Sequence, residues 1–106
     1  ILELNEKRKL LNQALYESTE RGKKLAQAER AYKVANAKFI LEQRAIGTPA
    51  TLIKDLAMGD EVVSGLRLER DIASVYYENA REAINSYKLE ARLIEEQIKR
   101  EWGQAE

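Results

Sequence analysis

Apolar and polar positions in the first half of the chain repeat with a period of seven. Leu4, Leu11, Ser18, Leu25, Tyr32, Phe39 and Ile46 recur without a slip, and three residues after the first six come Lys7, Ala14, Arg21, Ala28, Ala35 and Glu42. A seven-residue period keeps one stripe of a helix turned toward a partner, so the spacing predicts a helix over about residues 2–46. At 1.5 Å per residue it would run roughly 67 Å. Alanines at the second seam position let a partner backbone come close. The outer face carries Glu3–Lys7, Glu17–Arg21, Glu20–Lys24 and Glu29–Lys33 in the orientation that supports a helix, each contributing roughly 0.2–0.5 kcal/mol. Gly22 is the weak point, costing about 1 kcal/mol against Ala, and is expected to mark a bend or a close crossing.

The second half repeats this pattern. Val63, Arg70, Tyr77, Ile84, Ala91 and Ile98 hold one seam position, with Leu66, Ala73, Ala80, Tyr87 and Ile94 at the other, which predicts a helix over about residues 60–102. Asp60 is its expected N-cap, Glu61 sits at the positive end of its dipole, and it is expected to close near Gly103 after Lys99 and Arg100. Glu95–Lys99 and Glu96–Arg100 support its outer face. Between the long helices, Gly47 reads as a stop, Thr48 as an N-cap, Pro49 as a first helical residue and Gly59 as a C-terminal cap. A short elbow helix of about residues 49–58 is expected there, with Leu52, Ile53 and Leu56 folded over the open end of a hairpin.

Charge decides the topology. The whole chain carries 18 basic and 18 acidic residues, yet residues 1–47 hold ten basic against six acidic (+4) and residues 48–106 hold eight against twelve (−4). Opposite charge and matched length favour an antiparallel coiled-coil hairpin, formed within one chain or exchanged between two. The fold expected is therefore all-α, a single helical-hairpin domain over residues 1–106. On the simplest register Glu42 and Arg70, polar intrusions in the two seams, lie level and are expected to pair. A second apolar stripe, Leu68, Ile72, Val75 and Leu93, follows a face of the second helix away from its seam. A two-helix hairpin has nothing to cover that stripe, so a homodimer or higher homo-oligomer, or a partner protein, is expected.

Composition narrows the chemistry. The chain contains no Cys and no His, which excludes thiol catalysis, disulfides, Cys/His zinc sites and His-based acid–base chemistry within it. The acidic pairs Asp60–Glu61 and Glu95–Glu96 are adjacent on helices and point apart, and no glycine-rich phosphate loop is present. No catalytic, cofactor-binding or metal-binding residues are assigned, and no cofactor is expected. No apolar run approaches the roughly 18 residues of a membrane span, and no stretch reads as a signal peptide, so a soluble cytoplasmic protein without membrane contact is expected. The chain opens at Ile1 rather than Met, as part of a longer polypeptide would.

Two surfaces remain as functional candidates. The elbow residues Leu52, Ile53, Leu56 and Met58, with the stripe Leu68, Ile72, Val75 and Leu93, form the candidate protein interface. The alternative is a phosphate-contacting stripe of Lys7, Arg8, Lys9, Arg21, Lys23 and Lys24 on the first helix, opposed by interleaved Glu17 and Glu20. Tyr32, Phe39, Tyr77 and Tyr87 fall on the seams and read as packing, leaving Tyr16 and Tyr76 as exposed aromatic candidates. A helix-turn-helix reading fails because the would-be recognition helix opens with Asp60-Glu61-Val62-Val63.

The segment Ala45-Ile46-Gly47-Thr48-Pro49-Ala50-Thr51-Leu52-Ile53-Lys54-Asp55-Leu56-Ala57-Met58-Gly59-Asp60, followed by Arg67-Leu68-Glu69-Arg70-Asp71 and Ala83-Ile84-Asn85-Ser86-Tyr87-Lys88-Leu89, resembles small, mostly uncharacterised helical proteins of phages and prophages of Gram-positive bacteria. The similarity covers about residues 30–102. It implies expression inside an infected or lysogenic bacterial cell and carries over no functional residue. The function expected is that of a non-enzymatic, self-associating interaction protein, an adaptor or inhibitor of a phage or host protein. The alternative is an accessory protein of phage DNA replication or recombination.

Overall fold

A computed structural model describes residues 1–105. Among them the chain forms three helices and no strand: α1 over Leu2–Ala45, α2 over Ala50–Gly59 and α3 over Glu61–Ala105. The chain is all-α, and none of its described helices is long and apolar enough to cross a membrane. Its contacts gather into two compact units, one made of Ile1–Arg21 with Tyr77–Glu106, the other of Gly22–Tyr76. The division falls at Gly22, through which α1 stays helical.

In the first unit the start of α1 runs antiparallel to the end of α3. The seam positions do the packing: Ala14, Ile84 and Ala91 are buried, and Leu4, Leu11, Ser18, Tyr77, Ala80, Tyr87, Ile94 and Ile98 are half-buried. Two ion pairs cross between the helices, Lys7 Nζ to Glu90 Oε2 and Arg8 Nη2 to Glu95 Oε1, both at 3.0 Å. Each joins an α1 cation to an α3 carboxylate, as the opposite charge of the two halves requires. Lys7 and Glu95 thus reach across between helices, with Glu3 still acting on Lys7 through its charge, whereas Arg21 keeps its expected partner Glu17 at 2.8 Å. Helix α3 also runs past Gly103 to Ala105, because no left-handed residue or proline stops it there.

The second unit contains both turns between helices. Helix α1 ends in a Schellman motif: Gly47 adopts φ +82°, its N–H donates to the Arg44 carbonyl (3.2 Å), and the Thr48 N–H donates to the Gln43 carbonyl (3.0 Å). The Thr48 hydroxyl does not cap α2. It donates to Gln43 Oε1 at 2.8 Å, and Pro49 takes the N-cap position, so α2 begins one residue later than expected. At the second turn Gly59 is the last residue of α2 rather than a left-handed cap. Asp60 serves both helices. Its N–H donates to the Ala57 carbonyl (3.4 Å), and its carboxylate accepts from the Val63 N–H (3.0 Å), the expected N-cap bond of α3.

Packing in this unit rests on Ile53, Ala57 and Val63, all buried. Helix α2 therefore turns the line of Ile53 and Ala57 inward and leaves Leu52 and Leu56 about half exposed. The small Ala57 lets α2 come close to its neighbours, which outweighs the larger area that the leucines would remove from water.

Candidate protein interface

Of the eight candidate contact residues, Ile53 belongs to the core at 6% exposure, which corrects its assignment to a surface. Leu52 and Leu56 remain about half exposed on the outer side of α2, and Met58, equally exposed, lies on its other side, beside a cleft. The Met58 carbonyl accepts a hydrogen bond from Arg67 Nη2 at 3.2 Å, so a cation from α3 satisfies the last turn of α2. Between α1, α2 and α3 of this unit lies a cleft of about 480 Å³, floored by Ile40, Ile53, Ala57 and Val63 and rimmed by Arg44, Lys54 and Arg67.

The stripe on α3 lies open to solvent. Leu68, Ile72 and Val75 in the second unit are 60, 47 and 59% exposed, and Leu93 in the first unit is 53% exposed. Their spacing at three and four residues puts Leu68, Ile72 and Val75 on one line of α3, turned away from the seam of Val63, Arg70 and Tyr77. A second exposed feature has no counterpart in the sequence reading. On the second unit, Gln27, Arg30, Ala31, Val34, Ala35 and Lys38 of α1 line a groove of about 490 Å³ with Val62 of α3. Val34 and Val62, apolar residues outside both seams, were its only sequence signal.

The expected pair of Glu42 with Arg70 does not form. Arg70 donates to Asp71 Oδ1 through Nε (3.1 Å) and Nη2 (2.8 Å), and its guanidinium lies over the Tyr32 ring, 4.5 Å from the centroid. The Asp71 hydrogen bond raises its pKa above the ordinary value. Tyr32 is ten residues before Glu42, roughly 15 Å along the helix at 1.5 Å per residue. Glu42 instead borders a hollow with Asp60, Val62 and Val63, level with the first turn of α3. The physical reason is that α3 starts directly at the end of α2, so its first turn is level with the last turns of α1.

Of the basic stripe, Lys7, Arg8 and Arg21 each meet a carboxylate. Glu90 Oε2 is almost fully shielded from solvent and has no other partner. The contact is an ion pair, defined by its 3.0 Å separation. The short contact with Glu90, acting first as a hydrogen bond and then as a charge, raises the Lys7 pKa above the usual 10.5. Lys9, Lys23 and Lys24 are exposed, Lys9 in the first unit and the other two in the second. Tyr16 and Tyr76 are exposed as expected, at 68 and 51%. Among the described residues, no three acidic side chains gather where they could hold a metal ion.

Comparison of the chain with protein-family models, with curated proteins and with solved structures finds no match.

Proposed function

We propose that this chain is a non-enzymatic interaction protein that self-associates and acts through protein–protein contacts, as an adaptor or inhibitor. The observation that carries the reading is the open stripe of Leu68, Ile72 and Val75 on α3, each about half or more exposed. Burying a large aliphatic side chain is worth about 1.5–3 kcal/mol, so leaving a line of them in water favours a surface that becomes covered. That the external partner is a phage or host protein of a bacterial cell rests on the resemblance of the elbow segment alone. Direct contact with nucleic acid is less favoured, because Lys7 and Arg8 are already neutralised by Glu90 and Glu95.

Light scattering tests the reading. The chain should show twice its 12.2 kDa mass, and Ile72→Lys should lower that value without loss of helix signal. A wild-type monomer persisting at high micromolar concentration would defeat it.

A further inference from the structure

Helix α2 occupies one flank of the α1/α3 pair in the second unit, the flank of Tyr32, Asn36, Ile40 and Arg44. The other flank is the groove of Ala31, Val34 and Lys38 with Val62, and no part of the described chain covers it. Val34 and Val62 stand 57 and 65% exposed on it. Glu69 follows Val62 by seven residues on the same line of α3, and Ile72, 47% exposed, flanks that line three residues on. The face thus has an apolar middle, cations on its α1 side and a carboxylate on its α3 side. Arg30, Lys38 and Glu69 make no ion pair among the described residues.

Two copies can stack such faces around a two-fold axis in two ways. An axis across the helices sets α1 on α1. One along the helices sets α1 of each copy on α3 of the other. Charge chooses between them: residues 22–45 of α1 hold six basic against two acidic side chains (+4), and residues 61–76 of α3 hold two against three (−1). The first stacking would set +4 against +4, whereas the second sets +4 against −1 twice. In the second, helix levels are kept, so Glu69 of one copy falls level with the α1 stretch between Arg30 and Lys38 of the other. The level follows from Arg70 lying over Tyr32.

We infer that the groove face of Val34, Lys38, Val62 and Glu69 is the self-association surface, with α1 of each copy packed antiparallel on α3 of a second copy in a four-helix arrangement. This rests on the proposed self-association and specifies its geometry. It places Leu68 and Val75 outside the pair, on the back of α3, where they stay open to a different partner.

A charge exchange tests it, read as the dimer dissociation constant of the full chain by sedimentation equilibrium, with circular dichroism to check helix content. Each contact occurs twice in a two-fold pair, so Lys38→Glu or Glu69→Lys alone should weaken association about tenfold or more, and the two together should return it to within about threefold of wild type. A wild-type dimer indifferent to both single changes would reject this face and leave self-association standing. Weakening by both without recovery in the double variant would reject the α1-on-α3 pairing. A wild-type monomer would remove this inference together with the proposal beneath it.

Discussion

Lys7 is a seam residue of α1 whose first partner lies on the other helix. Its ammonium meets a shielded oxygen of Glu90 on α3, and that contact raises its pKa above 10.5. A lysine whose pKa is higher in the folded than in the unfolded chain adds stability below the unfolded value, and the contribution is lost as pH rises through the folded value. Lys7→Met should therefore lower the urea midpoint at about pH 7 to 9, and the gap to wild type should close above about pH 10.5. A gap unchanged at higher pH would assign the effect to packing of the lysine stem. Arg70 teaches a related lesson. Its place in the seam was legible in the sequence and its partner was not, because an arginine can reach a neighbour on its own helix and an aromatic face across the seam together.

At the scale of the element, the two turns are built from different chemistry and should answer differently to the same substitution. Gly47 sits at φ +82°, where a Cβ strains the backbone, so Gly47→Ala should cost about 1–2 kcal/mol although nothing lies within 4 Å of the added methyl. Gly59 is helical and equally open, so Gly59→Ala should be neutral or gain up to about 1 kcal/mol. Urea denaturation of the two variants measures both, and equal effects would contradict the described turns. The helices, the Gly47 stop and the Asp60 cap were legible because period and capping are local. So were the seams, with exceptions at Ile46 and Glu42, which end exposed beside the turn. Register was not legible, because a heptad seam still faces a seam after a slide along the axis, and nothing local in Glu42 or Arg70 separates the alternatives. The buried side of α2 was misread for another reason. Leu52 and Leu56 outrank Ala57 in hydrophobicity, but closeness of approach, which favours the smaller residue, emerges only once helices meet.

For the whole molecule, the buried hydrophobic set among the described residues is Ala14, Ile53, Ala57, Val63, Ile84 and Ala91, three of them alanines. Such a core contributes little, and an isolated chain would draw much of its stability from seams that remain partly wet. If association covers the open faces, the thermal midpoint should rise with protein concentration across a roughly hundredfold range. A constant midpoint would mean that the chain stands on its own seams. The neutrality of 18 basic against 18 acidic residues then has a mechanical meaning, since pairs such as Arg8–Glu95 spend the charge of one helix on the other. The junction at Asp60 carries one more consequence. Because a single residue closes α2 and opens α3, the two helices are geared: one extra codon there would turn α3 by about 100° against α2 and swing Val63 out from beside Ile53 and Ala57. Changes in gene length should accordingly be selected against at this junction.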